Sequence, residues 1–338
     1  MKKIHFVGIG GAGMSAIAKI LLEKGYEVSG SDLNESEIVE KLRVLGAFIY
    51  KEHRKENIKG KDAIVVSTAI SAENSEVVAA KEAGIKVFHR SDIVAFLMNH
   101  AKGIAVAGAH GKTTTTSMAS VMLDHTGKSP TIIIGGEVDY FGSNAKLGES
   151  EYLVAEADES DGSFLKLSPQ IAIVTNIEND HMDFYGSMEN ILKTFKQFLN
   201  NLPKESGLAI LCFDNAHIRD IAQNLERKFV SYGINYPADY IAKNIRTNGA
   251  GTSFDVYYHE EKMGTIMLNI PGKHNIANAL AVIALGDQIG LSVEEIAAGL
   301  RCFNGAKRRF QTKGRVKDVW IVDDYAHHPT EISTTLNA

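Results

Sequence analysis

Six residues of this chain have the types and spacing that bind the phosphates of a nucleotide. Residues 108–113 read Gly-Ala-His-Gly-Lys-Thr and come directly after an apolar stretch. Glycines let backbone N–H groups approach a phosphate closely, and a helix start and a lysine charge add to the attraction. The pattern predicts that Lys112 binds the β- and γ-phosphates of ATP and that the Thr113 hydroxyl ligates Mg²⁺. The general pattern has its first glycine five residues before Gly111, where this chain has Val106, so the match is incomplete.

A carboxylate is also needed for Mg²⁺, because this ion prefers oxygen ligands. Glu156 ends an apolar stretch, as the carboxylate facing a phosphate loop usually does, and is the favoured ligand. Most of residues 158–161, a stretch rich in acids, are expected to lie in a solvated loop. His181 follows another apolar stretch and is flanked by acids. It either ligates a second cation, contacts a phosphate or is structural, and the residues leave these alternatives open.

A second glycine-rich stretch lies near the N-terminus. Residues 8–13 read Gly-Ile-Gly-Gly-Ala-Gly after an apolar run, and Asp32 follows nineteen residues past Gly13. This spacing matches the dinucleotide fingerprint, in which the acid binds a ribose hydroxyl. It fits a nicotinamide-dependent oxidoreductase, but that class leaves the loop at 108–113 unexplained. A nucleotide-hydrolysing switch protein leaves the first loop unexplained instead.

The elements that position both loops alternate in type. Residues 1–100 alternate short apolar strands with amphipathic helices, which predicts a Rossmann-like parallel sheet. The pattern restarts, so we expect an α/β ATPase domain of the P-loop type over residues 101–325, with an antiparallel hairpin at Phe254–Tyr258 and Gly264–Leu268. Residues 326–338 open a helix and are expected to begin a further C-terminal domain.

Composition narrows the functional classes. The 338 residues are 44% apolar and 23% charged, with a net charge of −5. No basic stretch supports nucleic-acid or membrane binding, and no apolar run approaches membrane-spanning length. The two cysteines, Cys212 and Cys302, lack metal-type spacing and are expected to be buried thiols. We expect a cytoplasmic protein, monomeric or weakly homo-oligomeric.

Taken together, these stretches resemble the Mur ligase family, in order and over essentially the whole chain. That family uses the short GxxGKT form of the phosphate loop, which accounts for the position of the first glycine. Family members commonly have threonine at the position of Ala109. The matching stretches are Gly8–Met14, Ser29–Asp32, Ser67–Ile70, His89-Arg90, Ala107–Thr115, Glu156–Asp161, Asn176–Asp183, Gly272–Ala279, Arg308–Phe310 and Asp324–Glu331.

The resemblance implies an ATP-dependent amide ligase of peptidoglycan precursor synthesis. It implies that the lactyl carboxylate of UDP-N-acetylmuramate is joined to L-alanine through an acyl phosphate. Three domains are implied, for the UDP-sugar, for ATP and for the amino acid, and the chain stops where the third begins. We therefore expect this chain alone to be a poor ligase. A ligase that attaches a recycled tripeptide to the same sugar nucleotide is the nearest alternative, although its first loop lacks the Gly-Gly-Ala-Gly-Met form.

The resemblance also implies roles for individual residues. For the UDP-sugar it implies Gly10, Gly11, Ala12, Gly13, Asp32, His53, Ser67, Thr68 and Arg90. For ATP it implies Gly108, Ala109, His110, Gly111, Lys112, Thr113, Thr114, Asn275 and Arg309. The implied catalytic residues are Lys112, His181 and Arg309, and the implied Mg²⁺ ligands are Thr113, Glu156 and His181.

Overall fold

The first part of the chain folds as a parallel sheet with helices on its faces. The structure, a computed structural model, describes residues 2–248, 251–317 and 319–336. In chain order the elements of this part are β1 (Lys3–Val7), α1 (Ala12–Glu23), β2 (Glu27–Ser31), α2 (Glu37–Val44), β3 (Phe48–Tyr50), a 3₁₀ turn (Lys55–Ile58), β4 (Ala63–Val66), α3 (Ser75–Glu82), β5 (Lys86–His89) and α4 (Arg90–Met98). The strand order is β3-β2-β1-β4-β5, and neighbouring strands are parallel. The predicted Rossmann-like sheet is confirmed.

Helix starts in this part follow ordinary capping chemistry. The Ser36 hydroxyl accepts a hydrogen bond from the Val39 N–H at the start of α2. The Asn74 side chain does the same for Glu76 at α3. Helix α4 begins directly after β5, where His89 and Asp92 form a capping box. Neither α4 nor the three-residue strand β3 has a separate signal in the sequence, since histidine is an unusual cap and so short a strand has little pattern.

The second part is built on a larger mixed sheet. Its elements are β6 (Lys102–Ala107), α5 (Lys112–His125), β7 (Thr131–Val138), β8 (Ser143–Lys146), β9 (Tyr152–Glu156), a 3₁₀ turn (Ser163–Lys166), β10 (Ile171–Val174), α6 (Met182–Tyr185), α7 (Met188–Asn200), β11 (Leu208–Cys212), α8 (Ala216–Ala222), β12 (Lys228–Gly233), β13 (Tyr240–Asn248), β14 (Gly251–Tyr258), β15 (Glu261–Leu268), α9 (Lys273–Gln288), α10 (Val293–Arg301), β16 (Gln311–Val316), β17 (Val319–Asp323) and α11 (Pro329–Leu336). The strand order is β15-β14-β13-β12-β11-β10-β6-β9-β7-β8, with β16 and β17 paired separately.

Both glycine-rich loops lie where the order of strands reverses. In the first sheet β2 and β4 lie on opposite sides of β1, and the first loop follows β1. In the second sheet β9 and β10 lie on opposite sides of β6, and the second loop follows β6. Such switch points open a crevice at the carboxyl ends of parallel strands, where ligands bind. The expected α/β architecture is confirmed, as is the antiparallel pairing of β14 with β15.

The two parts pack against each other through apolar side chains. One cluster of buried residues includes Ile17 of α1 and Ile104 of β6. A smaller cluster, which includes Val7 and Ile64, lies under α3. Of the two cysteines expected to be buried, Cys212 is buried, but that expectation is wrong for Cys302, which is half-buried because it caps the end of α10. Within the described residues, no helix is long and apolar enough to cross a membrane.

Candidate active site

The second glycine loop has a backbone that glycine alone adopts readily. Gly108 and Gly111 have φ angles of 133° and 82°. A Cβ on Gly108 would collide with the Thr175 side chain and lie 2.9 Å from the Asn176 carbonyl oxygen. The Asn176 side chain clamps the loop, because its Oδ1 accepts from the His110 N–H at 2.8 Å and its Nδ2 donates to the His110 carbonyl at 2.8 Å. The loop is therefore held in place by the end of β10.

Lys112 is paired within the protein. Its Nζ donates to the Gly108 carbonyl at 2.6 Å and to Glu159 Oε1 at 2.6 Å. Glu159 is only 3% exposed, so the expectation of a solvated acidic loop is wrong at this residue. Burial raises the pKa of Glu159, although the nearby Lys112 ammonium opposes the shift. A nucleotide phosphate would compete with this carboxylate for Lys112.

The candidate Mg²⁺ ligands come from three segments of the second part of the chain. The Gly135 N–H donates to Glu156 Oε1 at 2.7 Å, and a Cβ on the adjacent Gly136 would lie 3.4 Å from the Thr113 methyl group. Neighbouring residues of β7 therefore lie close to both Thr113 and Glu156. His181 Nε2 lies 3.9 Å from Glu159 Oε1. The Thr113 hydroxyl and the Glu156 carboxylate are donors of the type that Mg²⁺ takes, whereas the His181 imidazole suits softer metals better.

Two residues from distant segments complete the nucleotide side of the site. Arg309 Nη2 lies 3.5 Å from the Thr113 hydroxyl. Asn275 is buried at the start of α9, and its Oδ1 accepts a hydrogen bond from the Asn278 side chain. Asn278 in turn lies against Gly111 of the loop, where an added Cβ would collide with its side chain. These side chains line a cavity of about 320 Å³ beside the loop. Its volume lies at the lower end of the range for small-molecule sites.

Helix α11 borders the same cavity and is tied to the loop. His110 Nδ1 lies 3.1 Å from Glu331 Oε1, and His110 Nε2 lies 3.3 Å from Glu178 Oε2. The Thr330 hydroxyl donates to Glu178 at 3.1 Å. His110, Glu178 and His328 also have ligand-type atoms within 4.8 Å of one another. Sequence reasoning missed Glu178 and Glu331 as partners of His110, since these residues meet only through the fold.

The first glycine loop is shaped by the predicted acid. Asp32 Oδ2 accepts from the Gly10 N–H at 2.8 Å, and its Oδ1 accepts from the Asn34 N–H at 2.9 Å. A Cβ on Gly13 would lie 3.1 Å from Arg90 Nη1, so the guanidinium lies at the start of α1. A guanidinium beside a glycine loop and a helix N-terminus forms a diphosphate-binding arrangement.

The other residues expected at the UDP-sugar lie at the same edge of the first sheet. Ser67 and Thr68 directly follow β4. The Ile70 N–H donates to the Ser67 carbonyl, and the Ile70 side chain lies close to Gly8, where it would contact an added Cβ. His53 follows β3, and its Nδ1 lies 2.8 Å from the Ser31 hydroxyl. The fold thus gathers these residues around one loop.

Polar contacts join the two loops across the junction of the two parts. Arg90 Nη2 donates a short hydrogen bond to Asp158 Oδ2, and Asp158 precedes the Glu159 that pairs with Lys112. Burial opposes ionisation of Asp158, but hydrogen bonding from Ser160 and the Arg90 charge together lower its pKa. Also at the start of α1, the Asn144 side chain donates to the Ala12 carbonyl at 2.8 Å. A continuous path of contacts therefore runs from the first loop to Lys112.

Comparison with known proteins places this arrangement in a family. Residues 3–102 match the description "Mur ligase family, catalytic domain", and residues 106–286 match "Mur ligase middle domain". The chain belongs to the Mur ligase family.

Within that family, two similar curated proteins carry the same enzyme name. The UDP-N-acetylmuramate–L-alanine ligase of Pelotomaculum thermopropionicum is 52% identical over 338 residues, which cover 100% of this chain and 73% of the relative. The enzyme of the same name from Geotalea daltonii is 51% identical, over 100% of this chain and 74% of the relative.

Two solved structures, of ligases that differ in the amino component, share this fold. The UDP-N-acetylmuramate-alanine ligase of Thermotoga maritima superposes with a TM-score of 0.88 at 32% identity, covering 99% of this chain and 76% of that one. The UDP-N-acetylmuramate:L-alanyl-γ-D-glutamyl-meso-diaminopimelate ligase of Neisseria meningitides has a TM-score of 0.82 at 28% identity, covering 91% of this chain and 100% of that one.

Proposed function

We propose that this chain binds UDP-N-acetylmuramate at its first glycine loop and ATP with Mg²⁺ at its second, and acts as a UDP-N-acetylmuramate–L-alanine ligase in peptidoglycan synthesis. One observation carries the proposal: the Arg90–Asp158 contact and the adjacent Glu159–Lys112 pair connect the two loops. A nicotinamide enzyme gives no reason for the second loop. A nucleotide switch protein gives no reason for the first.

The chemistry follows from placing these two ligands side by side. A carboxylate and an amine do not condense usefully in water, so ATP has to supply a leaving group. A lactyl carboxylate oxygen attacks the γ-phosphorus, ADP leaves, and an acyl phosphate forms. The amine nitrogen of L-alanine then attacks the acyl carbon, loses a proton, and expels inorganic phosphate. Both steps depend on alignment and on neutralising charge.

In this proposal separate residues bind the phosphates, supply positive charge and ligate the metal ion. Lys112 exchanges Glu159 for the γ-phosphate, and the N–H groups of residues 108–113 bind the neighbouring oxygens. Arg309, which lies beside the Thr113 hydroxyl, offers a second positive charge. Thr113 and Glu156 would hold Mg²⁺, with His181 at a second position, and the ion would neutralise charge on the transferred phosphoryl group.

The domain organisation belongs to the proposal as well. We propose domains over residues 1–100 and 101–325, with residues 326–338 opening a third that holds L-alanine. The contact of His110 with Glu331 supports this, because it brings the start of that segment to the phosphate loop. We propose a monomer or weak homo-oligomer that works in the cytoplasm, where both nucleotides are available.

Calorimetry with the 338-residue chain tests the first site directly. UDP-N-acetylmuramate is expected to bind at one site, and NADH to give no binding heat. Binding of NADH without binding of UDP-N-acetylmuramate would overturn the proposal. The tripeptide-recycling alternative uses the same sugar nucleotide. The two ligases differ in the amino component, which is assayed in a protein that includes the third domain. The proposal requires ATP-dependent product with L-alanine and none with the tripeptide.

A further inference from the structure

A fully buried carboxylate lies behind the first glycine loop. Glu76 is in the first turn of α3 and is 0% exposed. Side chains from three other segments approach its two oxygens. They are Ser31 Oγ at 2.6 Å, Asn57 Nδ2 at 2.6 Å, His53 Nδ1 at 3.0 Å and His5 Nε2 at 3.2 Å. Buried acids are rare unless they are fully paired, and this one is.

The surroundings of Glu76 favour its ionised form. Burial alone raises the pKa of a carboxyl group, but the hydrogen bonds from His5, Ser31 and Asn57 outweigh burial, and the pKa of Glu76 is lowered. The N-terminal end of α3 adds a favourable dipole, since Glu76 lies in the first helical turn. A carboxylate in this position accepts hydrogen bonds and donates none.

This constraint fixes the proton on His53. The Ser31 hydroxyl has one proton and donates it to Glu76 Oε2. At His53, 2.8 Å away, Ser31 Oγ can therefore act only as an acceptor. Both neighbours of His53 Nδ1 are then acceptors, so Nδ1 carries the proton. Among the residues that the structure describes, Nε2 of His53 has no hydrogen-bond partner, and the side chain is 18% exposed.

The same network is attached to the loop proposed to bind the UDP-sugar. The Ser31 carbonyl accepts from the Gly8 N–H at 2.8 Å and from the Ile9 N–H at 3.0 Å, while its side chain contacts Glu76. The next residue, Asp32, accepts from the Gly10 N–H. The Asp32 N–H donates to the Tyr50 carbonyl at the end of β3, just before the segment that holds His53. The end of β2, at Ser31 and Asp32, therefore holds both the glycine loop and the segment that carries His53.

We propose that Glu76 is a positioning residue of the UDP-sugar site, which holds His53 with Nδ1 protonated and its Nε2 directed to the nucleotide sugar. This inference rests on the proposed function of the first loop. With Nδ1 protonated, the neutral ring offers Nε2 as an acceptor for a sugar hydroxyl, and the charged ring offers an N–H to a phosphate. Glu76 itself does not touch the ligand. It acts through the histidine, as carboxylates behind histidine ligands do.

The test combines binding with a direct view of the His53 proton. Glu76→Gln keeps the shape and one acceptor oxygen but removes the charge, and it introduces an amide that can donate to Nδ1. We expect UDP-N-acetylmuramate to bind this variant about tenfold more weakly or worse, with ATP affinity unchanged. Glu82→Gln, an exposed position at the end of the same helix, is the matched control and is expected to leave both affinities unchanged.

Histidine-selective ¹⁵N spectra of the 338-residue chain report which ring nitrogen of His53 carries the proton. A purely structural role of Glu76 would leave this proton distribution unchanged in Glu76→Gln. The signal of His53, assigned by its loss in His53→Gln, is expected to show a protonated Nδ1 in the wild-type chain and a changed proton distribution in Glu76→Gln. In calorimetry, His53→Gln is expected to lose as much affinity for UDP-N-acetylmuramate as Glu76→Gln does. The double variant is expected to lose no more than either, because the two residues act as a unit.

Several results would overturn the inference. These are a proton on Nε2 alone in the wild type, unchanged affinity in Glu76→Gln or His53→Gln, and additive losses in the double variant. If Glu76→Gln does not fold, the wild-type spectrum and the affinity of His53→Gln decide instead. A wild-type chain that fails to bind UDP-N-acetylmuramate would overturn the proposed function as well, whereas normal wild-type binding with unaffected variants would overturn only the role of Glu76.

Discussion

At the scale of single residues, the charge of Lys112 is neutralised within the protein. Its ammonium is bonded to Glu159, a carboxylate whose pKa burial raises. The second oxygen of Glu159 is buried and has no partner among the described residues. Such an oxygen is costly to keep in the protein interior. A phosphate that takes Lys112 would therefore also change the surroundings of Glu159, and we expect nucleotide binding to be coupled in this way to the acidic loop that contacts Arg90.

The two cysteines are expected to react very differently. Burial raises the pKa of the Cys212 thiol to about 11. The thiolate is the reactive form, so at pH 8 Cys212 is both shielded and almost entirely protonated. We expect iodoacetamide at pH 8 to modify the half-buried Cys302 and to leave Cys212 unmodified, as measured by mass spectrometry of the intact protein and its peptides. Reactivity at Cys212 is expected to rise with pH.

Cys302→Ser provides the control for this labelling experiment. It removes the accessible thiol and is expected to leave the folded chain unlabelled at pH 8, while denaturant exposes Cys212 to reaction. Labelling of Cys212 in the folded protein at the rate of a free thiol would contradict the burial seen here.

What the sequence could predict at this scale was local. The glycines and Lys112 of residues 108–113 are recognisable because the pattern is contiguous. The partners Glu159 and Glu331 are 47 and 221 residues away from the loop residues they contact, so only the fold reveals them. Glu76 gave no signal, since an isolated glutamate near a helix start is ordinary.

At the scale of elements, the helices behind the phosphate loop pack unusually closely. A Cβ on Gly299 of α10 would lie 2.7 Å from the Cα of Met122 in α5. Gly299→Ala is therefore expected to destabilise the protein by about 1–3 kcal/mol, despite the better helix propensity of alanine. Thermal unfolding followed by circular dichroism measures the effect, as a fall of roughly 2–4 °C for each kcal/mol.

Gly314→Ala is the matched control, because a Cβ there meets nothing within 4 Å. It is expected to leave the melting temperature nearly unchanged. Equal stability of Gly299→Ala and wild type would show that α5 and α10 are less tightly packed than the structure indicates.

Strands and helices could be predicted where the apolar pattern was strong. They were missed where the pattern was weak or where a helical pattern was not recognised. The apolar stretch that ends at Glu156 forms strand β9, and the two strands of the predicted hairpin end at Tyr258 and Leu268, as predicted. Strand β3 was missed because it is three residues long. Helix α7 was missed although its buried residues Ile191, Phe195 and Phe198 follow helical spacing, a signal that the sequence does contain.

At the scale of the whole molecule, the sequence predicted two phosphate sites but not their connection. That connection depends on Arg90, at the start of α4 in the first part of the chain, meeting Asp158, which follows β9 in the second. The shared apolar cluster and the contact between Asn144 and Ala12 hold the two parts in this relation. The central claim is therefore that ATP and the UDP-sugar react with each other rather than occupying independent sites.

Trapping the acyl phosphate tests this claim most directly. The chain is incubated with UDP-N-acetylmuramate, ATP, Mg²⁺ and hydroxylamine, without L-alanine, and both ADP and the hydroxamate of the lactyl carboxylate are measured. We predict equal amounts of the two products, a loss of about a hundredfold or more in Lys112→Ala, and no change in Lys193→Ala, which alters an exposed lysine of α7. ADP formation that does not require UDP-N-acetylmuramate, or that persists undiminished in Lys112→Ala, would contradict the account.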